Sequence, residues 1–211
     1  MAKIILPMLS ASVVSLEVFA LTLLFSVPLG FPLALGRMSR IKILSWTVNV
    51  FLLVIRGTPL ILQLIAVYFA PAYIFRVTYD RFTAAIIALS VNYACYFAEI
   101  YRGGIQSIPR GQHEAAKVLG YSRPQTFLRI VMPQVVKQII PPMGNEVITL
   151  VKDTALVSVL GIAELFRTAQ TTSSRLFSTT PILIAGVFYF LMNWLVSSGF
   201  AALERKLDYY R

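Results

Sequence analysis

The sequence predicts an all-α integral membrane protein, a single transmembrane domain over residues 1–211 with about five transmembrane helices, and three observations carry that reading. First, 57% of the 211 residues are hydrophobic and only 13% are charged, with a mean hydropathy of +0.74. Soluble chains carry about 25% charged residues, so the deficit makes lipid the solvent for much of the surface. Second, five runs approach or exceed the ~20 apolar residues that cross a hydrocarbon core: residues 13–36, 48–70, 83–101, 125–151 and 181–203. Third, the basic residues sort by side. With the loops after the first and third spans and the C-terminus in the cytoplasm, the inside holds eleven: Arg37, Arg40, Lys42, Arg102, Arg110, Lys117, Arg123, Arg129, Arg205, Lys206 and Arg211. The outside holds six: Lys3, Arg76, Arg81, Lys152, Arg167 and Arg175. This satisfies the positive-inside rule, with the N-terminus outside and the C-terminus cytoplasmic. The net charge of +10 is thereby spread over both membrane faces, and no compact basic patch remains for nucleic acid.

Lys3 precedes an apolar stretch, Ser12 to Leu35, that exceeds a signal-peptide core and ends at no small-residue cleavage site; it reads as a retained first span. The second span contains Arg56-Gly57-Thr58-Pro59. Proline removes a helix hydrogen bond and glycine relaxes the backbone, so a kink or local unwinding is expected. Irregular backbone inside a bilayer is tolerated where protein covers it or where it lines a wet cavity. Thr58 and the nearby Gln63 are therefore candidates for a substrate path, with a structural kink as the alternative. In the third span Asn92, Tyr96, Glu99 and Gly103 form one polar stripe at helical spacing. Asn92 and Glu99 are expected to face the bundle or a cavity, and Glu99 to pair with an arginine such as Arg102 or Arg56 if its role is structural.

Between the third and fourth spans, Gln112 to Leu119 carries good helix formers, with Glu114 in the first turn at the positive end of the dipole. Gly120 then stops the helix by taking the left-handed conformation. Ser122 and Gln125 have the spacing of a capping box, with Pro124 in the first turn of the following helix. A short helix over 112–120 thus meets the fourth span at a sharp corner. Ala115, Ala116 and Leu119 share one side of it, and the alanines leave that side smooth enough for close approach by another surface.

The fourth span is expected to be interrupted at Pro141-Pro142. Beyond it, Asn145, Glu146, Thr149, Lys152 and Asp153 share an arc of about 120°, while Val147, Ile148, Leu150 and Val151 occupy the other side. Ionisable residues inside a membrane are costly enough to mark function, so the arc is a candidate path lining. The alternative is an ion pair of Lys152 with Asp153 or Glu146 that only fixes packing. The apolar piece Thr154 to Ala163 is too short to cross, and lies at the interface or dips in and returns.

Glu114-Ala115-Ala116, then Gly120, Ile130 and Pro133, resembles the "EAA" loop of permease subunits of ABC importers. The resemblance implies a MetI-like permease fold in which this helix docks into a cleft of a separate ATP-hydrolysing subunit, with Gln112, Glu114, Ala115, Ala116, Leu119 and Gly120 as the coupling residues. Arg56-Gly57-Thr58-Pro59-Leu60, the run from Tyr96 to Ile105, and Asn145-Glu146 through Lys152-Asp153-Thr154 to Glu164-Leu165 are similar to permeases for polar amino acids, of the histidine, arginine and glutamine type. The likeness covers residues 14 to 204, and it implies a substrate path of Thr58, Gln63, Asn92, Glu99, Asn145, Glu146, Thr149, Asp153, Ser158 and Glu164. Ala155 departs from it, since such permeases commonly carry serine there. The same resemblance implies a dimer of ABC ATPase subunits carrying ATP and magnesium, a second permease subunit that is a copy or a homologue, an extracytoplasmic amino-acid-binding protein, and a prokaryotic inner membrane as location.

The chain itself has no phosphate-binding G-x-x-x-x-G-K-[ST] loop, and no nucleophile stands at useful spacing from a base, so it is not expected to be an enzyme or to bind a cofactor. His113 has no second metal ligand near it, and Cys95 lies in an apolar run without a disulfide partner. An ion-gradient-driven transporter also uses buried carboxylates and broken helices, but it leaves the Glu-Ala-Ala helix without a purpose. A membrane-embedded hydrolase lacks any catalytic constellation. Among the path candidates, Glu99, Glu146, Asp153 and Glu164 outnumber Arg56, Lys137 and Lys152, which leans toward a cationic amino acid.

Overall fold

The structure, a computed structural model, describes residues 2–207 and the side chains of residues 4–207. The side chain of Lys3 and the whole of Arg211, both part of the charge count above, lie outside the described residues. The helices are α1 (Ala2–Arg37), α2 (Lys42–Gly57), α3 (Leu60–Phe75), α4 (Arg81–Gln106), α5 (Arg110–Val118), α6 (Arg123–Thr126), α7 (Met132–Asp153), α8 (Leu165–Leu176) and α9 (Thr180–Leu207). A π-helical segment, Phe127–Val131, joins α6 to α7, and a 3₁₀ segment, Thr154–Leu160, follows α7. The described residues are all-helical, with no strand.

The bundle is built around α4. Of its most apolar stretch 67% is buried, against 28% for α1 and 11% for α9. Leu89, Tyr93 and Phe97 of α4 are the centre of the main core, which α1, α3 and α7 surround. The α1 and α4 backbones touch at Gly30, where an added Cβ would stand 2.9 Å from Phe97 Cβ and 3.1 Å from the Ala94 carbonyl. A second core of Met8, Leu165, Ala169 and Ala185 joins the N-terminal half of α1 to α8 and α9. Large apolar side chains stay exposed along the outer helices, among them Leu24, Trp194 and Leu195. Such a surface suits lipid or a partner subunit.

Three helices, α1, α4 and α9, are long and apolar enough to cross a membrane, and α2 with α3 qualify together as a fourth. The fifth expected span, 125–151, falls on α6, the π segment and α7, where Lys137, Asn145, Glu146, Lys152 and Asp153 dilute the apolar side below the same measure. The first span begins earlier than residue 13, since α1 is helical from Ala2. The expected kink at Gly57 to Pro59 is a complete break, with α2 and α3 meeting at 109°. Thr58 and Pro59 are both extended there. The interruption expected at Pro141-Pro142 is absent, for α7 runs through both prolines. The only donors lost are those that would serve the Lys137 and Gln138 carbonyls, a loss that membrane helices absorb. The irregularity lies about three turns earlier instead, in the π segment, where the Met132 amide reaches back five residues to the Phe127 carbonyl just before Pro133.

Candidate functional site

Two separate regions carry the predicted residues. The first is the corner around α5. The helix starts at Arg110, two residues before the predicted start, so Glu114 lies beyond the first turn and outside the reach assumed for it at the positive end of the dipole. Gly120 takes the left-handed conformation with φ of 76°. Its amide donates to the Lys117 carbonyl at 3.1 Å and that of Tyr121 to the Ala116 carbonyl at 3.0 Å. This is a Schellman closure, which satisfies the last carbonyls of the helix. The next helix opens with the predicted capping box: Gln125 accepts from the Ser122 amide at 2.8 Å, and the Ser122 hydroxyl accepts from the Gln125 amide at 3.4 Å. Two closed termini back to back fix the angle of the corner.

The three predicted contact residues of α5 separate. Ala116 is buried, where α5 lies against the π segment, so it faces this chain and not a partner. Ala115 is exposed, as are Leu119 at 72% and Val118 at 87%. Val118 was missed by sequence reasoning, although an apolar residue on a helix with an otherwise polar surface is itself a signal. Gln112 accepts a hydrogen bond from Gln134 at 3.3 Å, a direct tie from α5 to α7.

The second region is the polar side of the bundle, where the α2–α3 break, α4 and α7 meet. Gln63 closes the break. Its amide nitrogen donates to the Ile55 carbonyl at 2.6 Å and to the Thr58 hydroxyl at 2.8 Å, while its oxygen accepts from Asn92 of α4 at 2.9 Å. The Thr58 hydroxyl in turn donates to the Val54 carbonyl at 2.9 Å. Thr58, Gln63 and Asn92 are thus one network, and it satisfies backbone that the break leaves without helical partners. Glu99 accepts from Arg102 at 2.7 Å and stands 3.9 Å from Arg56 and 3.8 Å from Arg37. Arg56 also lies over the Tyr96 ring, 5.1 Å from its centroid. Glu99 is thus hydrogen-bonded to Arg102 and flanked by Arg56 and Arg37, the pairing expected of a structural role.

The two arcs of α7 fall where the periodicity put them. Val147, Leu150 and Val151 are buried and Ile148 is half-buried, whereas Asn145, Thr149 and Lys152 are exposed and Glu146 is half-buried. Asp153 accepts from Tyr93 Oη at 2.8 Å. No described salt bridge joins Lys152 to Asp153 or Glu146, contrary to the packing alternative. Tyr93, missed in the sequence, is separated from Asp153 by sixty positions, and only the fold brings them together. Asn145, Thr149 and Lys152 are open surface in this chain, and Asp153, like Glu146, is half-buried at its edge. Of two cavities of about 530 and 550 Å³, one lies between α7 and α9 beside Lys137 and Arg205, the other between α1 and α4 beside Phe25 and Ser90, and neither includes an arc residue.

Glu164 does not belong to that surface. It is fully buried and caps α8, accepting from the Phe166 amide at 2.7 Å, the Arg167 amide at 2.6 Å and Tyr189 Oη at 3.0 Å. Its sequence position, next to an apolar run, concealed the helix start that uses it. Ser158 is half-buried in the 3₁₀ segment, and its carbonyl accepts from Arg167 at 3.0 Å.

Comparison with known proteins adds a family. The model of the binding-protein-dependent transport system inner membrane component matches residues 26–209. The chain is 38% identical over 208 residues to the L-cystine transport system permease protein TcyB of Bacillus subtilis, covering 97% of this chain and 88% of that protein. It is 35% identical over 195 residues to the arginine transport system permease protein ArtQ of the same organism, covering 92% and 89%. A solved structure of an amino acid ABC transporter with histidines superposes with a TM-score of 0.90 at 35% identity, over 98% of this chain and 96% of that one. A methionine ABC transporter in an inward-facing conformation superposes at 0.71 with 19% identity, over 99% and 96%, a likeness of fold alone.

Proposed function

The chain belongs to the family of binding-protein-dependent transport system inner membrane components, and from that premise we propose that it is the permease subunit of an ATP-driven importer for polar amino acids. It is a multi-pass protein of the inner membrane and works in a complex with an ATPase partner and a second permease subunit. In this reading ATP and magnesium are bound by a dimer of ATPase subunits, and this chain binds no cofactor. The second permease subunit is a copy or a close homologue. An extracytoplasmic amino-acid-binding protein delivers the substrate, lipid surrounds the bundle, the N-terminus is outside and the C-terminus cytoplasmic.

The division of α7 into a buried apolar arc and an uncovered polar one is the observation that carries the path. Asn145, Glu146 and Lys152 cannot face hydrocarbon without a cost of several kcal/mol when unpaired. A second permease subunit facing this arc encloses a wet route between them, lined by Asn145, Glu146, Thr149 and Asp153. A zwitterionic amino acid entering it exchanges its hydration for these donors and acceptors. The acidic excess behind a cationic substrate narrows once Glu99 and Glu164 are spoken for. Glu146 and Asp153 then face Arg56, Lys137 and Lys152, so no acidic excess remains, and selection falls to the binding protein.

Coupling follows from the corner. The exposed Ala115, Val118 and Leu119 enter a cleft of the ATPase, and displacement of α5 passes to α7 through Gln112 and Gln134 and through Ala116 on the π segment. The test is uptake of radiolabelled polar amino acids into proteoliposomes containing the permease, the ATPase and the binding protein. Uptake that requires ATP and is indifferent to ion gradients supports the importer; uptake driven by a proton or sodium gradient without ATP overturns it.

A further inference from the structure

We propose that Arg81 and Arg167 form a paired-guanidinium clamp at the Gly161 turn that receives a carboxylate side chain of the extracytoplasmic binding protein. The inference rests on the importer reading and adds to it a docking point. Gly161 ends the 3₁₀ segment in the left-handed conformation, with φ of 84°, and its amide donates to the Ser158 carbonyl at 2.9 Å. Where a Cβ on this glycine would stand, Arg81 Nη1 is 2.7 Å away and Arg167 Nη2 is 3.9 Å away. One arginine comes from the first residue of α4 and the other from the first turn of α8, so two guanidiniums converge from different elements onto one bare turn. Arg167 is held in place by its bond from Nη1 to the Ser158 carbonyl at 3.0 Å.

Two like charges brought together in this way call for an anion, and the described residues do not supply one. All the described salt bridges centre on Glu99, far along α4 from Arg81. The acids nearby are committed elsewhere. Glu164 is buried under the start of α8, with its oxygens taken by two backbone amides and Tyr189. Asp80, beside Arg81, caps α4 through the Thr83 amide at 3.0 Å, and the hydrogen bonds of Thr83, side chain first, hold its carboxyl below the usual carboxylate range. Asp153 takes the Tyr93 hydroxyl. Meanwhile Arg76, Arg81, Lys152 and Arg175 are exposed on the side assigned to the exterior. They add positive charge around the clamp on that face.

Charge complementarity therefore specifies an acidic partner, and an arginine fork binds a carboxylate in a fixed bidentate geometry. The position matches a docking role as well. Gly161 follows the 3₁₀ segment that continues α7, so a binding protein seated there opens over the end of the polar arc.

The test uses the complex of permease and ATPase in nanodiscs, titrated with its liganded amino-acid-binding protein, and reads the binding-protein concentration that gives half-maximal ATPase stimulation. Arg81 is the residue to change, because it is exposed and its side chain, among the described residues, holds no hydrogen bond or ion pair. Arg81→Glu should raise that concentration about tenfold or more, and Arg81→Lys much less, since breaking one partner of a desolvated charge pair weakens binding by such factors. In Arg81→Lys, zero-length carbodiimide cross-linking should join Lys at this position to an aspartate or glutamate of the binding protein. An unchanged half-maximal concentration in Arg81→Glu, with an active wild-type complex, overturns the clamp. So does loss of bound anionic phospholipid without any change in binding-protein affinity, which would assign the site to a lipid headgroup. A wild-type complex without ATP-driven uptake overturns the importer reading itself, and the clamp with it.

Discussion

Gly120 concentrates the direction of a whole helix in one backbone angle. Open space surrounds it, so a side chain there meets no clash and the cost is the left-handed conformation alone, about 1–2 kcal/mol. Gly120→Val should therefore leave membrane insertion and yield close to wild type while ATP-driven uptake collapses, because the strain is relieved by turning α5 away from its partner. Wild-type uptake at normal expression would remove the corner from the coupling route. Gln63 is the opposite case, a side chain whose value is structural. It satisfies the Ile55 and Thr58 carbonyls at the α2–α3 break and the amide of the buried Asn92. Gln63→Leu leaves those groups without partners at a cost of about 1–3 kcal/mol each in a buried setting. A lowered thermal midpoint of the purified complex, with substrate selectivity unchanged, is the expected result, and altered selectivity at unchanged stability would return Gln63 to the path.

Elements show why some of this was legible in the sequence and some was not. The arcs of α7 were readable because a period of 3.6 is a property of the chain alone, and so were the Gly120 stop and the Ser122 box, which are local hydrogen-bond patterns. Hidden were pairings between elements. Nothing in the sequence ties Tyr93 to Asp153, Arg37 to Glu99 or Tyr189 to Glu164. The tandem prolines misled because their penalty was taken as a break, when the helix continues past two unserved carbonyls. On α7 a cysteine at Asn145 or Thr149 should react with a small water-soluble thiol reagent, and substrate should slow the reaction. At Val147 or Val151, both buried, it should stay inert. Equal reactivity of the two arcs in a transporting complex would make the polar arc a packing seam. On α5, Leu119→Asp places a charge on a surface meant to be desolvated, and should release the ATPase during purification without reducing the permease in the membrane.

For the whole molecule the decisive quantity is which surfaces are finished. The α4 core is closed and self-sufficient, whereas the α7 arc, the exposed end of α5 and the basic residues near Gly161 are each incomplete within one chain. Their incompleteness is ordered by depth: α5 at one end of the bundle, the arc following Pro141-Pro142, and Gly161 beyond Asp153. If α5 meets an ATPase in the cytoplasm, that order puts Gly161 outside, the side to which the excess of arginines and lysines at the other end also assigns it. The prediction can be checked cleanly because the chain has a single cysteine, Cys95, and it is fully buried, so the unmodified protein should be silent to impermeant maleimides. Thr179, exposed between α8 and α9, and His113, exposed on the side of α5 away from Ala115 and Leu119, are suitable single-cysteine positions. On intact cells with any outer barrier permeabilised, Thr179→Cys should label and His113→Cys should not; inside-out vesicles should reverse the pattern. Labelling of His113→Cys from outside would place α5 out of reach of ATP, and no ATPase could then act through it.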